Sequence, residues 1–166
     1  LGLLGYPASY PRQRPSNRGL GRWLQDRYTD MMARRFHCRW LWMGTNDIGV
    51  AAKALNALRR NEVVVALLDV THSTQTIAVD FLGGRLRVPT GPFLMAEASG
   101  SPLLAFSVDF EDRWVGQIHA PEPVGENVSE TAGHCAARLE EIIRRQPATW
   151  SPWLKSDAAF SKLWST

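Results

Sequence analysis

The sequence has few cysteines and no long apolar run. Its two cysteines, Cys38 and Cys135, lie far apart with no metal-ligand spacing, so they indicate neither a disulfide framework nor a cysteine-based metal site. The longest uninterrupted apolar stretch, residues 63–68, is far shorter than the roughly 20 residues of a membrane-spanning helix. We therefore expect a reduced compartment and no bilayer-crossing segment in this sequence.

Familiar catalytic motifs are also missing. There is no G-x-S-x-G nucleophile elbow, and the stretches GTNDIG and FLGGRLR lack the spacing of a P-loop or a dinucleotide fingerprint. No two histidines stand at the i, i+4 spacing of a zinc-binding helix. We therefore expect no metal site and no cofactor.

Positive charge is concentrated near the beginning of the sequence and is carried there by arginine alone. Residues 1–40 hold eight arginines and two aspartates, a net charge of +6, whereas the other 126 residues sum to −3. A guanidinium group can form two parallel hydrogen bonds with phosphate or carboxylate oxygens. This asymmetry predicts an anionic partner: nucleic acid, a phosphorylated lipid or an acidic carrier protein. Each single arginine also fits a solvated helix face.

Length and apolar periodicity predict one domain of alternating strands and helices. A chain of 166 residues can bury roughly 70% of its unfolded surface. The segment ASYPRQRPSN is expected to be a loop because its prolines lack a backbone donor. A helix is predicted over residues 18–35, with its arginines on other faces than its apolar residues. Those apolar residues, spaced by three and four, are Leu20, Trp23, Leu24, Tyr28, Met31 and Met32.

The remaining segments continue the alternation. CRWLWM, EVVVALLD and TIAVDFL are expected strands, and a helix near residue 47 separates the first two. TGPFLMAEASG is an expected short helix that Gly100 ends, and PLLAFSVDFE and RWVGQIHAP are the last two strands. A helix over residues 129–145 directs Cys135, Leu139, Ile142 and Ile143 inward, and Trp150 after it is expected in the core. The alternation indicates an α/β sheet covered on both sides.

A polar loop follows the most apolar strand and contains Asp69 and His72. Ligands of α/β sheets bind beyond the carboxyl ends of the strands, which is where Asp69 is expected. Three interpretations are open for this loop. Asp69 and His72 form a catalytic pair, they lie in a polar turn in water, or they position a ligand.

Three segments, in order, carry a family resemblance. RPSNRGLGRWLQDR is similar to an R-x-x-N-x-x-L…R pattern. Residues 63–106 combine a strand ending in Asp, the pair Phe81 and Gly83, and a Thr-Gly-Pro that leads into a Leu-x-Ala helix. LEEIIRRQPATWSPW resembles a closing helix, proline and tryptophan pair. Together they resemble the bacterial lipid A biosynthesis acyltransferases, lauroyl and myristoyl transferases of the lysophospholipid acyltransferase superfamily.

The resemblance implies a fold and a set of site residues. The implied fold is mixed α/β, glycerolipid acyltransferase-like, with a mostly parallel central sheet covered by helices on both sides. Arg27 and Asp69 become catalytic candidates, with arginines holding phosphate groups or stabilising charge on a thioester carbonyl oxygen. The substrate-binding candidates are Arg14, Asn17, Arg18, His72, Gly83 and Thr90. Gly83 and Gly91 are expected in turns, and Phe81, Phe93 and Leu94 in the core or a pocket wall.

One motif of that family is absent from this chain. The family's reaction uses a histidine followed, after four residues, by Asp or Glu. The residues five positions after His37, His72, His119 and His134 are Trp42, Ile77, Val124 and Leu139. The resemblance places the motif just before Leu1, so residues 1–166 are expected to form a single acyltransferase-like domain, the C-terminal two thirds of the family's domain.

The resemblance therefore implies a membrane-surface acyltransferase, or a piece of one. The expected donor is an acyl carrier protein or coenzyme A thioester, and the expected acceptor is a phosphorylated glycolipid such as a lipid A precursor. The expected location is peripheral, on the cytoplasmic face of the bacterial inner membrane. The alternative is a non-catalytic module that binds anionic lipid. Nucleic acid, supported by the charge of residues 1–40 alone, is not an expected partner.

Overall fold

The chain forms two compact units in the computed structural model, Leu1–Ala66 and Leu67–Thr166. The structure describes residues 7–13, 19–43, 47–69, 75–110, 112–123, 125–150, 160–161 and 163–165. Each unit is described by itself below. The single acyltransferase-like domain expected for residues 1–166 stays a prediction.

The first unit is a parallel sheet with two helices. Its strands stand in the order β2-β1-β3, and both pairings are parallel. The predicted strand CRWLWM and the helix predicted over residues 18–35 are confirmed as β2 and α1. The elements are β1 (Ala8–Gln13), α1 (Leu20–Arg35), β2 (Cys38–Met43), α2 (Asp47–Arg59) and β3 (Val63–Val64).

The expectation of a loop at ASYPRQRPSN is wrong for its first six residues, which form the central strand β1. The N–H groups of Val63 and Val65 donate to the carbonyls of Pro7 and Ser9, so the odd-numbered residues of β1 face β3. The pairing with β3 ends at Ser9. The backbone nitrogen of Pro11, which carries no hydrogen, therefore faces the β3 side but lies beyond the last β3 pair. No hydrogen bond to β3 is lost there, so the strand tolerates the proline.

The strand EVVVALLD is shorter than its apolar character predicts. Only Val63–Val64 is paired as a strand, and the chain up to Asp69 is irregular. Asp69 thus lies five residues beyond the paired part of β3. The valines are half-buried rather than enclosed on both faces, because β3 is an edge strand among the described residues.

The described residues of the second unit form antiparallel sheets and helices. Its larger sheet has the order β4-β5-β8, and β6 and β7 form a separate hairpin. A short 3₁₀ helix, Pro147–Thr149, follows the last α-helix. The elements are β4 (Thr76–Phe81), β5 (Gly84–Pro89), α3 (Gly91–Ser99), β6 (Leu104–Phe110), β7 (Trp114–Pro121), α4 (Val128–Arg145) and β8 (Trp164–Ser165).

A two-residue turn joins β4 to β5. Leu82 and Gly83 have φ angles of 49° and 77°, the positive pair that a type I′ hairpin turn requires. Gly83 is therefore a turn residue, as expected. Gly91 is not, since it is the first residue of α3, whereas Gly100 ends α3 with a φ of 66° as predicted.

The core of the second unit lies between the β4-β5-β8 sheet and α4. The α4 residues Cys135 and Ile143 are buried, and Trp150 is buried at 5% exposure, as the sequence predicts. Phe81 and Phe93 also belong to this core, whereas Leu94 is 46% exposed and lies outside it, so only its expected place in a pocket wall stays a prediction. The remaining buried members are Val79, Leu86, Val88, Ala132, Ala136 and Leu163.

The architecture is mixed α/β, as predicted. A single, mostly parallel central sheet is not confirmed, because parallel pairing is confined to the first unit and the pairs of the second are antiparallel. No helix within the described ranges has the length and apolar character to traverse a bilayer.

Candidate active site

A buried indole holds the Asp69 carboxylate. Trp150 Nε1 donates a hydrogen bond to Asp69 Oδ2 at 3.0 Å, and Asp69 itself is half-buried. The 3₁₀ turn fixes the tryptophan backbone, since the Trp150 N–H donates to the carbonyl of Pro147. A hydrogen bond to an ionised acceptor is among the stronger ones in proteins, so the orientation of this carboxylate is restricted.

Four aromatic rings build the wall behind this carboxylate. Trp150 packs edge-on against Phe81, with 5.4 Å between ring centres, and against Phe160 at 6.1 Å. Phe160 also contacts Trp164 at 5.7 Å, and Trp164 Nε1 donates to the Phe81 carbonyl at 3.1 Å. The tilted and edge-on arrangements are those that aromatic quadrupoles favour. Asp69 is thereby connected through Trp150 to the end of β4.

A second carboxylate ties α4 to the β4–β5 turn. Glu140 Oε2 accepts a hydrogen bond from the Leu82 backbone N–H at 2.7 Å, and Oε1 accepts one from Arg144 Nε at 2.9 Å. The Leu82 N–H, followed by the Arg144 guanidinium, lowers the pKa of Glu140. This carboxylate stays ionised near neutral pH and fixes the turn that contains Gly83.

An open groove of about 1070 Å³ runs between the β4–β5 hairpin and α4. Its walls carry both signs of charge, with Asp80 and Glu140 against Arg85 and Arg144. Arg85 donates to the Asp80 carboxylate and to the Ala78 carbonyl. Asp69 is not among the residues that line this groove.

Several predicted site residues cannot be placed. Arg14, Asn17, Arg18 and His72 lie outside the described residues. The three interpretations of the Asp69 and His72 loop therefore remain open as far as His72 is concerned. For Asp69, the structure shows that its carboxylate accepts a hydrogen bond from Trp150.

Arg27 lies on α1 in the first unit and is exposed. Its guanidinium carbon is 5.9 Å from the ring centre of Trp23, a cation–π contact. The arginines of α1 are predicted on other faces than its apolar residues, and this contact shows that Arg27 does not follow that separation. Its catalytic role stays a prediction.

Gly83 and Thr90 lie at the two ends of β5. Gly83 contributes a positive φ to the turn, and it also lines the hairpin groove. Thr90 precedes α3 and uses its backbone, with its N–H donating to the Gln75 carbonyl and its carbonyl accepting from the Leu94 N–H. Its side chain makes no capping hydrogen bond. Substrate binding by either residue stays a prediction.

The described nucleophile candidates are poorly activated. Burial, reinforced by the Glu122 carboxylate, raises the pKa of the Cys135 thiol to about 11, and burial also raises the pKa of Cys38. A thiol that stays protonated is a weak nucleophile. Ser107 Oγ lies 3.3 Å from His119 Nε2, yet within the described ranges no carboxylate bonds the other ring nitrogen to orient it.

Sequence reasoning missed the roles of Trp150 and Glu140. Trp150 was expected in the core, but a partner 81 positions away leaves no local pattern. In the sequence, Glu140 is one of several charged residues on a helix, and its hydrogen-bond partner Leu82 is 58 positions away. No local signal identifies Glu140 as the acceptor, because every residue except proline has a backbone N–H and nothing in the sequence distinguishes the one of Leu82.

Comparisons with known proteins agree with the sequence pattern. The sequence model of the bacterial lipid A biosynthesis acyltransferases matches residues 33–156, about three quarters of the chain, including Asp69 and Trp150. A phosphatidylinositol mannoside acyltransferase of Mycobacterium tuberculosis (strain ATCC 25618 / H37Rv) is 33% identical over 101 residues, which are 59% of this chain and 32% of the relative. Its counterpart in strain CDC 1551 / Oshkosh is 32% identical over 95 residues, which are 56% of this chain and 30% of the relative. The chain thus spans about a third of the length of these relatives.

Proposed function

The chain belongs to the bacterial lipid A biosynthesis acyltransferase family, and from this we propose that it serves in transferring a fatty acyl group from a thioester to a hydroxyl of a phosphorylated glycolipid. The observation that carries the proposal is the family match across Asp69, combined with the hydrogen bond that fixes its carboxylate. Membership also supports the finer fold, a glycerolipid acyltransferase-like domain with a mostly parallel central sheet.

The proposed reaction replaces one acyl bond by another. The acceptor hydroxyl oxygen attacks the thioester carbonyl carbon, so that an ester C–O bond forms and the C–S bond breaks. A base takes the hydroxyl proton, and the carrier leaves as a thiolate that is then protonated. Negative charge develops on the carbonyl oxygen, where a guanidinium such as that of Arg27 would stabilise it.

We assign Asp69 to the pocket and assign the base to none of the four histidines in this chain. Asp69 has a fixed orientation and lies against an aromatic wall, properties that suit a group that positions a substrate hydroxyl or a reacting side chain. None of the histidines has the acidic residue five positions later that the family's reaction uses. His72 is then a substrate-binding residue.

The partners follow from the same proposal. The donor is an acyl carrier protein or coenzyme A thioester, and the arginine surplus of residues 1–40 supports contact with phosphate groups of either donor or acceptor. A lipid A precursor and a phosphatidylinositol mannoside, the latter taken from the relatives' names, are the two acceptors to test. The proposed place of action is the cytoplasmic face of the bacterial inner membrane.

A second candidate function is a non-catalytic module that binds anionic lipid. It is favoured by one observation, the absence of the His-x4-Asp/Glu spacing from all 166 residues beside the surplus of arginine. Such a module would bind phosphorylated lipid in a salt-sensitive way and transfer no acyl group.

An acyl-transfer assay on the full-length protein tests the proposed function. Labelled acyl-carrier-protein and coenzyme A thioesters are each offered with each acceptor, and the acylated glycolipid is identified by mass. We expect one donor and acceptor pair to give product. Asp69→Asn should lower the rate by about a hundredfold, because a misplaced reacting group costs that much.

Asp112→Asn is the matched control, since Asp112 is an exposed aspartate between β6 and β7. It should leave the rate within about twofold of the unmodified protein. Equal losses in both variants would remove Asp69 from the pocket. Lipid binding without product from any pair would establish the second candidate in place of the first.

A further inference from the structure

Helix α1 packs on its sheet through its more polar side. Thr29 is the residue of α1 that is buried, at 1% exposure, and the indole Nε1 of Trp40 in β2 donates to its carbonyl at 3.0 Å. The Thr29 hydroxyl donates to the Gln25 carbonyl at 2.6 Å, so no polar group is left unsatisfied by this burial. Thr29 therefore marks the direction in which α1 faces its unit.

The apolar side of α1 points the other way. At 3.6 residues per turn, Leu20, Leu24 and Met31 lie about 140° to 180° around the helix from Thr29. They are 72%, 55% and 55% exposed. Trp23 and Tyr28 flank them and are also more than half exposed. We call these five residues the α1 outer face. Single exposed apolar residues are ordinary, but five on one helix face form a patch that marks an interaction surface.

Guanidinium groups lie within this patch and at its C-terminal end. Arg27 is on the same face, about 160° around the helix from Thr29, with its guanidinium over the Trp23 ring, and Arg34 and Arg35 lie in the last turn, both exposed. The charge of Arg22 is partly compensated by Asp26, whose Oδ2 lies 3.8 Å from Arg22 Nε. Long basic side chains beside an apolar stripe can keep their charge among phosphates while their stems and neighbours enter an apolar phase.

We propose that the α1 outer face docks into the boundary between headgroups and acyl chains of an anionic phospholipid bilayer. It is mainly aliphatic and aromatic, it holds Arg27 and adjoins Arg34 and Arg35, and it carries one Trp and one Tyr, the residues that prefer the interface. The inference rests on the proposed function and deepens it by naming a surface through which the chain meets lipid. The test uses no thioester, so the docking surface and the proposed acyl transfer can fail separately.

Vesicle flotation of the full-length protein tests the inference. The vesicles are phosphatidylcholine alone or phosphatidylcholine mixed with phosphatidylglycerol, each in low and high salt. We expect binding to the mixed vesicles that weakens with salt. The variant Leu20→Ser/Leu24→Ser/Met31→Ser should bind at least about tenfold less tightly, because three apolar side chains no longer enter the interface.

The control variant is Leu94→Ser/Leu104→Ser/Ile118→Ser, which changes three similarly exposed apolar residues of the second unit. It should bind as the unmodified protein does. A further variant, Arg34→Gln/Arg35→Gln, should bind mixed vesicles severalfold less tightly and lose most of the preference for phosphatidylglycerol. Circular dichroism verifies that each variant is folded.

The inference is overturned if the α1 variant binds vesicles normally, or if the control variant loses as much binding. It is equally overturned if the α1 substitutions weaken binding of acyl carrier protein and spare vesicle binding, since the surface then serves a protein partner. Loss confined to the α1 variant supports it.

Discussion

The Asp69 carboxylate and the Trp150 indole are 81 positions apart in the sequence and meet at 3.0 Å in the fold. The tryptophan has two roles, because its ring fills the core beside Phe81 and its N–H orients the carboxylate. These roles can be separated, since phenylalanine retains an aromatic ring and lacks the donor.

We predict that Trp150→Phe slows acyl transfer by about tenfold to a hundredfold through misplacement of the Asp69 carboxylate. The accompanying loss in unfolding free energy should be about 1 to 3 kcal/mol. Combined with Asp69→Asn, the Trp150 change should add less than about twofold, because both substitutions disrupt one interaction. Steady-state kinetics and urea unfolding provide the measurements.

Trp164→Phe is the control for that prediction. It also removes an indole donor from the same aromatic cluster, but that donor bonds the Phe81 backbone carbonyl rather than a carboxylate. Its effect should be on stability, with the transfer rate of the folded protein preserved. If Trp164→Phe slows transfer as much as Trp150→Phe, or if the Trp150 and Asp69 effects simply multiply, Trp150 has only a structural role.

At the scale of elements, local patterns predicted most of what formed. α4 matched in extent because it combines an Asn127 cap, an apolar stripe and a following proline. Of the four residues predicted to face inward, Cys135 and Ile143 are buried, and Leu139 and Ile142 are half-buried. The β6–β7 pair matched because two β-rich runs flank a short polar turn. Both depend on interactions within a few residues.

The predictions that were wrong concern features decided by the neighbouring strand or sheet. β1 was read as a loop because the sequence does not reveal that Pro11 stands beyond the last β3 pair. The apolar stripe of α1 was identified, yet periodicity does not say which side meets the sheet, and Thr29 rather than the stripe is buried. Long-range pairing decides both points.

The contact between α4 and the hairpin gives a prediction on stability. Glu140→Ala leaves the Leu82 N–H without its acceptor, so the unfolding free energy near neutral pH should fall by about 1 to 3 kcal/mol. The pKa of Glu140 is lowered in the folded protein. Its stabilisation is therefore fully present above the pKa of the unfolded chain and is lost as pH falls through the lower folded pKa.

Urea unfolding at a series of pH values between neutral and acid checks this expectation. The difference between the unmodified protein and Glu140→Ala should shrink toward acid pH. Glu141→Ala is the neighbouring control, because Glu141 forms ion pairs with Arg138 and Arg145 of its own helix. A pH-independent difference, or one equally large for Glu141→Ala, would contradict a role for Glu140 in holding the turn.

At the scale of the whole molecule, charge divides as the compact units do. The first unit has eleven basic and four acidic residues, a net +7, whereas the second has eight basic and twelve acidic residues, a net −4. The α1 outer face and Arg27 belong to the positive unit, and Asp69 belongs to the other. The positive charge of the first unit suits contact with anionic lipid.

The central claim is that Asp69 serves an acyl-transfer pocket whose proton acceptor is none of this chain's histidines. The most direct test is the kinetics of His72→Ala, since His72 is the histidine nearest to Asp69 in the sequence. The account predicts a raised KM and a kcat within about twofold of the unmodified protein, as expected for a substrate-binding residue. A fall in kcat of about 10² to 10⁴, with loss of the acidic limb of its pH profile, would identify His72 as the base and contradict the account.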